Sequence, residues 1–164
     1  MRNARRSGHG LAEVAALADQ AVWGQYGGEQ SVAALLLTLD LATGGLRIVD
    51  AGSPQLWRAG TEVERIELDV QVPLGSLEET QYRTQQDLLR PGDRLMIVSD
   101  GVYGAISGER TYAEVSLPRT IRTTRALPPA QAVQAVMSAL AVFRDHRDLD
   151  DDAVVVCLDW HGPA

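Results

Sequence analysis

Three aspartates stand where apolar segments of the chain end or begin. Asp100 follows the apolar run 95–98 after one intervening residue, Ser99, and Asp151 and Asp152 directly precede the apolar run 153–158. Short apolar runs of this kind are typical of buried β-strands. If the two strands are antiparallel neighbours, the end of the first lies beside the start of the second, and the carboxylates converge. Because Mg²⁺ and Mn²⁺ prefer carboxylate oxygens as ligands, the pattern predicts a divalent-metal centre.

Gly101 strengthens this prediction, because a residue without a side chain lets backbone or ligand approach Asp100 closely. Two metal ions bridged by carboxylates can hold a water molecule in line with a phosphorus atom. Carboxylates packed together without a cation repel one another, so a converging cluster indicates an ion. Two simpler interpretations stay open at this point. Asp100-Gly101 can be only a turn, and residues 150–152 can be a solvated acidic loop.

A second group of charged residues recurs at every third position. Arg119, Arg122 and Arg125 would lie along one side of an extended or helical segment. A solvated face is the simpler interpretation, because isolated surface charges contribute little to stability. The alternative is a docking patch for an acidic or phosphorylated partner protein.

The hydrophobic pattern predicts the elements that would position these residues. Helical spacing predicts a first helix from Leu11, and a second helix begins after Pro128 and Pro129. The apolar face of the first helix would comprise Leu11, Val14, Ala15, Ala18, Ala21 and Val22. Turn signals separate strands predicted at residues 32–39, 46–50, 55–58, 63–66, 82–88, 94–98 and 153–158. The order helix, strands, helix, strand predicts an α+β fold with an antiparallel sheet or layered sandwich.

Composition limits the class of protein. The length of 164 residues and the 45% of hydrophobic residues predict a single globular domain over residues 1–164. The net charge of −7 argues against nucleic-acid binding, and no apolar run is long enough to span a membrane. The single cysteine, Cys157, cannot form an internal disulfide and is predicted to be a small core residue. We expect a cytoplasmic protein.

Six short motifs follow one another along the chain. They are Asp40-Leu-Ala-Thr-Gly44, Ala51-Gly-Ser-Pro54, Pro73-Leu-Gly75, Pro91-Gly-Asp-Arg-Leu95, Ser99-Asp-Gly-Val102 and Asp151-Asp-Ala153. In this order they resemble the catalytic domain of SpoIIE-type phosphatases, the bacterial branch of the metal-dependent, PP2C-like protein serine/threonine phosphatases. The resemblance extends from about Leu11 to Trp160.

This resemblance implies a fold, an activity and roles for residues. It implies a PP2C-like layered β-sandwich flanked by helices, with a Mn²⁺ or Mg²⁺ centre at one end. It also implies that a metal-activated water hydrolyses phosphoserine or phosphothreonine on a small regulatory protein, commonly an anti-sigma-factor antagonist. Asp100 and Asp151 match the family's metal-holding catalytic aspartates, and Asp152 is carried over as a further metal ligand. The backbone of Gly101 would lie near the metal.

The sequence departs from the family's pattern ahead of the first helix. The family's first metal motifs, a Gly-Asp on an N-terminal strand and an Asp followed by a glycine loop, should precede Leu11. Residues 1–10 contain no carboxylate, and Arg5, Arg6 and Ser7 stand where the second Asp would be needed. We therefore expect a C-terminal share of the family domain that lacks the N-terminal strands and part of the metal site. The metal ion would then be absent, or its site only partly occupied.

Two further motif positions are altered, since Ser53 replaces the family's His and Val154 replaces its Thr. Three hypotheses are open. The first is a metal-dependent phosphatase that is poorly active alone. The second is a catalytically inactive pseudophosphatase that binds a partner protein in signalling, and the third is another enzyme or binding domain on a similar sandwich. Because an incomplete sandwich would expose apolar faces, self-association into a homo-oligomer is also expected.

Overall fold

The structure, a computed structural model, describes residues 9–52, 54–148 and 151–163. The expectations for residues 1–8, Ser53 and Asp150 lie outside this part of the chain. Within it, the fold consists of two compact units. The first unit is built from residues 9–52 and 68–89, and the second from residues 54–67, 90–148 and 151–162.

The described residues form five helices and nine strands. In chain order they are α1 (Leu11–Tyr26), β1 (Ala34–Leu39), β2 (Gly45–Ala51), β3 (Gln55–Ala59), β4 (Val63–Ile66), β5 (Gln85–Leu88), β6 (Arg94–Val98), α2 (Asp100–Tyr103), β7 (Ile106–Ser107), β8 (Arg110–Thr111), α3 (Tyr112–Val115), α4 (Leu117–Thr123), α5 (Pro129–Phe143) and β9 (Val155–Asp159). Every pairing between these strands is antiparallel. The predicted α+β class with antiparallel sheets is thereby confirmed.

The first unit packs helix α1 against a three-stranded sheet of order β1-β2-β5. At the start of α1, the Glu13 carboxylate accepts a hydrogen bond from the Gly10 backbone N–H at 2.8 Å, and at its end Gly27 adopts a left-handed conformation. The apolar core of this unit contains Val14, Ala15, Leu36, Val49, Ala51, Leu74 and Tyr82. Strand β5 lies at one edge of the sheet, as its polar sequence predicts.

The buried face of α1 differs from the predicted one in two positions. Ala21 is exposed, whereas Asp19 is 1% exposed and takes a place in the interior. A buried carboxylate needs hydrogen-bond donors. Asp19 has two, the Gly75 backbone N–H at 2.7 Å and the Tyr82 hydroxyl at 3.1 Å. The buried face of α1 that apolar spacing predicts is therefore wrong at positions 19 and 21.

The second unit is organised around β6, which lies inside a four-stranded sheet of order β4-β3-β6-β9. Its apolar run is buried, as the sequence predicts, with Leu95, Met96 and Val98 no more than 1% exposed. The main core lies between one face of this sheet and the helices that follow. It contains Trp57, Ala59, Met96, Val98, Val102, Ala105, Tyr112, Leu117, Ile121, Ala132, Val136 and Leu140.

The segment with the weakest sequence pattern, residues 103–127, forms the β7–β8 hairpin and the helices α3 and α4. Pro118 lies in the first turn of α4, where a missing backbone N–H costs nothing. In the part of the chain that the structure describes, no helix is both long and apolar enough to cross a membrane.

Candidate active site

The site begins with the pairing of β6 and β9. These strands are antiparallel neighbours, with Val98 opposite Val155. The residues that follow β6 therefore lie beside those that precede β9. This pairing is the condition for the predicted convergence of the acidic strand ends.

Ser99 extends the pairing by one residue beyond both strands. Its backbone N–H donates to the Val154 carbonyl oxygen at 3.0 Å. Its hydroxyl accepts from the Val154 N–H at 2.9 Å and donates to the Asp152 carbonyl oxygen at 3.2 Å. Although Ser99 is the N-cap residue of α2, its hydroxyl does not cap that helix. The side chain instead fixes the backbone that carries the second acidic pair.

Gly101 brings the two acidic segments into backbone contact. A Cβ atom at this position would lie 2.3 Å from the Asp152 carbonyl oxygen and 3.0 Å from that of Asp151. The first of these distances is too short for a Cβ atom, and its neighbour is a backbone atom, so glycine is the residue that fits here without a shift of the backbone. The prediction placed Asp100 at a turn or at the end of a strand. It lies instead in the first turn of the short helix α2.

The three predicted metal aspartates are all exposed at this junction. Asp100 Oδ1 accepts a hydrogen bond from the Gly101 N–H at 3.0 Å, and Asp151 Oδ1 accepts one from the Asp152 N–H at 2.8 Å. Each carboxylate keeps further lone pairs for another partner. The sequence motifs indicate Asp100, Gly101, Asp151 and Asp152. The fixing role of Ser99 was missed, because its hydrogen-bond partners lie far away in the sequence.

The donor atoms of these residues are of the kind that a hard divalent cation prefers, because carboxylate oxygens suit Mg²⁺ and Mn²⁺. The number of donors is lower than in a closed site. Within residues 9–52, 54–148 and 151–163, no three His, Cys, Asp or Glu side chains come together to hold a metal ion. Mg²⁺ often takes one or two carboxylates and keeps several waters. The chemistry therefore fits one weakly held ion, and its binding stays a prediction.

The predicted docking arginines belong to another part of the second unit. Arg119 and Arg122 lie on α4, and Arg125 follows that helix. All three are exposed. The helical form is one of the two that their spacing predicted.

An alanine at position 101 is expected to lower the free energy of unfolding by about 1–3 kcal/mol, because the added methyl group overlaps backbone atoms that cannot move independently. Chemical denaturation followed by circular dichroism measures this. The matched control is Gly24→Ala inside α1, where no heavy atom lies within 4 Å of the new Cβ. That substitution should stabilise the helix by about 0.5–1 kcal/mol. Equal effects at both positions would contradict the close approach at Gly101.

The family model of Stage II sporulation protein E (SpoIIE) matches residues 1–161 of the sequence. The chain belongs to the SpoIIE family. This confirms the resemblance seen in the ordered motifs. No curated protein matches the sequence.

Solved structures of similar fold are phosphatase domains of this SpoIIE and PP2C type. The RsbU and RsbW domains of Rv1364c from Mycobacterium tuberculosis have a TM-score of 0.77 and 18% identity, over 99% of this chain and 45% of that one. The SiaA-PP2C domain of Pseudomonas aeruginosa has a TM-score of 0.76 and 19% identity, over 90% of this chain and 60% of that one. The Mn-presoaked SpoIIE phosphatase domain of Bacillus subtilis has a TM-score of 0.62 and 18% identity, over 80% of this chain and 59% of that one. The chain thus spans 45–60% of these SpoIIE-type and PP2C-type structures.

Proposed function

We propose that this SpoIIE-family chain is a metal-dependent protein serine/threonine phosphatase domain. The observation that supports this most directly is the backbone contact between Gly101 and the Asp151–Asp152 pair at the paired ends of β6 and β9. This contact supports the proposal because it joins the two acidic segments that the family resemblance names. A solvated acidic loop would not need a glycine with no room for a methyl group.

In this proposal Asp100 and Asp151 hold a Mn²⁺ or Mg²⁺ ion. Asp152 stays a predicted further ligand, since the described residues assemble no group of three metal-ligating side chains. When bound, such an ion supplies Lewis acidity and lowers the pKa of a water ligand. Gly101 permits the close approach of the two segments, and Ser99 fixes the 152–154 backbone through its hydroxyl. The exposure of all three aspartates leaves room for a phosphorylated side chain of a partner protein.

The substrate class follows from the family resemblance. We propose phosphoserine or phosphothreonine on a small regulatory protein, such as an anti-sigma-factor antagonist. The names of the relatives support a phosphoprotein partner, since SpoIIE is described as a cell fate determinant with a phosphatase domain. Association of the chain with itself stays a separate prediction, which sedimentation velocity would test.

The second candidate is a catalytically inactive domain that binds a partner protein in signalling. One observation favours it, namely that the described residues assemble no group of three metal-ligating side chains. Two-metal phosphoryl chemistry depends on ions that are placed on both sides of the phosphorus. A domain with an incomplete set of carboxylates would still bind a partner protein but would not hydrolyse its phosphate ester.

The deciding experiment compares hydrolysis of a phosphoserine peptide in Mn²⁺ by the wild-type chain and by Asp100→Asn. We expect slow turnover that the substitution lowers by about 100-fold, as for loss of one essential electrostatic contact. The control is Asp145→Asn, because Asp145 is exposed and its positive φ of 57° suits asparagine. Robust turnover would contradict the incomplete site. Absence of turnover in every variant would favour the binding domain.

A binding measurement separates loss of metal from loss of fold in the same variants. Titration with Mn²⁺, followed by its electron paramagnetic resonance signal, should give weaker binding in Asp100→Asn than in Asp145→Asn. Without metal, the melting temperature of Asp100→Asn should be unchanged or slightly higher, because neutralising one carboxylate relieves repulsion from its neighbours. A large drop in that melting temperature would make Asp100 a structural residue.

A further inference from the structure

Helices α4 and α5 border an open groove of about 420 Å³ in the second unit. Arg119 and Thr123 line it from α4, while Ala139, Val142 and Phe143 line it from α5. Val142 is an unusual surface residue, since 66% of it is exposed. Phe143 is held in place by a tilted ring contact with Tyr112 at 5.4 Å between centroids. The groove thus has an apolar side that is fixed by the core.

The charge of this region is opposite to that of the chain. Residues 116–143 contain three charged side chains, all of them arginines, in a protein whose net charge is −7. Among the described residues, no carboxylate forms an ion pair with Arg119, Arg122 or Arg125. Charges without internal partners attract a partner of the opposite sign. The surface therefore favours an acidic ligand.

The three arginines are not equivalent in position. Arg122 lies in the last turn of α4, where a cation stabilises the helix end. Arg125 follows the helix and does not line the groove. Arg119 is the only charged residue among those that line it. A guanidinium at the rim of an apolar groove can hold a carboxylate by two hydrogen bonds while an apolar side chain enters beside it.

We propose that this groove docks an acidic segment of a partner protein, with an apolar side chain on Val142 and Phe143 and a carboxylate on Arg119. Arg122 and Arg125 add long-range attraction and speed association. This docking surface is independent of the phosphatase proposal, because neither the metal aspartates nor Ser99 lines the groove. A nucleic acid is disfavoured because it needs several basic contacts along its phosphates, and residues 116–143 supply three arginines.

The test uses the full chain in EDTA, so that metal and turnover play no part. The probe is a short fluorescein-labelled peptide in which glutamates alternate with leucines, and its binding is followed by fluorescence anisotropy. We expect saturable binding that weakens when salt rises from about 0.05 to about 0.5 M. Peptides with glutamine in place of glutamate, or alanine in place of leucine, should each bind at least about tenfold more weakly.

Variants locate the binding. Arg119→Gln and Val142→Glu should each weaken binding of the glutamate–leucine peptide by about tenfold, and Arg122→Gln by about twofold. The matched control is Arg83→Gln, which removes the same charge from an exposed position in the first unit and should leave the affinity unchanged. Both groove positions are exposed, so the melting temperatures of their variants should stay close to the wild-type value.

Four results would overturn the proposal. The first is the absence of saturable binding up to about millimolar peptide, which corresponds to about −4 kcal/mol. The second is equal binding of the glutamine peptide. The third is an affinity that neither Arg119→Gln nor Val142→Glu lowers, and the fourth is tighter binding of a single-stranded oligonucleotide than of the acidic peptide. None of these results depends on whether the chain is an active phosphatase.

Discussion

Replacing Arg94 by methionine is expected to lower the free energy of unfolding by about 3–5 kcal/mol, as for a buried ion pair that loses one partner. Arg94 is 3% exposed. Its Nε and Nη2 atoms donate to the Asp159 carboxylate at 2.6 and 2.7 Å. Its Nη1 and Nη2 atoms also donate to the carbonyl oxygens of Thr124 and Leu127, each at 2.6 Å. Methionine fills the space but removes all four of these donated hydrogen bonds, and the Thr124 carbonyl oxygen keeps the Leu127 backbone N–H at 2.9 Å.

The expected damage extends to the helical layer of the second unit. Thr124 and Leu127 belong to the connection between α4 and α5, so Arg94 ties this connection to the sheet. Arg94→Lys should fall between wild type and methionine, because an ammonium cannot reproduce the planar two-pronged contact with Asp159. Urea denaturation followed by circular dichroism gives the three free energies.

Arg58→Met is the matched control for this series, since it makes the same substitution on the neighbouring strand β3. The Arg58 guanidinium contacts Glu64 at 2.6 Å, but the Glu64 side chain is 58% exposed. An exposed pair contributes no more than about 1 kcal/mol. A loss at Arg94 as small as the loss at Arg58 would show that the buried contacts do not hold the unit together.

The ion pair between Arg94 and Asp159 makes the free energy of unfolding depend on pH in the acidic range. The hydrogen bonds from Arg94 hold the pKa of Asp159 below its ordinary value, and burial opposes this effect less strongly. An aspartate whose pKa is lower in the folded protein stabilises the fold above its unfolded pKa of about 3.9. That contribution is lost as the pH falls through the folded pKa. Arg94→Met should therefore lose less stability than wild type when the pH is lowered below about 4.

Most of the sheet could be predicted from the sequence, because each strand carries its own local signal. The buried run at β6, the turns before β2 and β4, and the polar edge strand β5 are all patterns within about ten residues. Local pattern does not determine which strands pair. The placement of β6 between β3 and β9 depends on contacts between distant segments. The pairing of β6 with β9 entered the prediction only as a condition for the site, and the pairing of β6 with β3 was not predicted.

In the candidate site, too, local motifs predict some residues, whereas the roles of others depend on distant partners. Asp100, Gly101, Asp151 and Asp152 could be named because their types and order match a family's motifs. The roles of Ser99 and Arg94 could not be named, because their partners lie 53–55 and 65 residues away in sequence. Arg94 is the first residue of β6, and a charge at the end of a strand resembles an ordinary solvated charge. Its burial becomes favourable through Asp159 on the paired strand β9 and through the Thr124 and Leu127 carbonyl oxygens.

Asp19 illustrates a polar residue that breaks an apolar pattern. At the sequence level, an aspartate among alanines predicts the solvent side of a helix. The interior position becomes favourable because Gly75 and Tyr82 both bring donors to it. Gly75 can do so because it adopts a φ of 80°, and a Cβ there would lie 2.3 Å from Val22 Cγ1. The loop of the Pro73-Leu-Gly75 motif is thus fitted to helix α1 at two points.

Replacing Asp19 by leucine is expected to lower the free energy of unfolding by about 2–4 kcal/mol. The substitution leaves the Gly75 N–H and the Tyr82 hydroxyl without their carboxylate acceptor, and each buried group left without a partner costs about 1–3 kcal/mol. The Tyr82 hydroxyl retains the Val72 carbonyl oxygen at 3.2 Å, which limits its share of the loss. The neighbouring control is Gln20→Leu on the exposed side of α1, where a change within about 0.5 kcal/mol is expected. Equal losses at positions 19 and 20 would show that helix propensity, not the buried network, sets the effect.

Tyr82→Phe tests the same network from the other side, through its dependence on alkaline pH. Burial, together with the nearby Asp19 carboxylate, raises the pKa of Tyr82 to about 12. A group whose pKa is raised in the folded state stabilises the fold below its unfolded pKa of about 10, and this contribution is lost as the pH rises through the folded value. Wild type should therefore lose stability between pH of about 10 and about 12 more steeply than Tyr82→Phe in urea denaturation. Parallel losses in the two proteins would mean that Tyr82 is not ionising against Asp19, and that other groups control the alkaline transition.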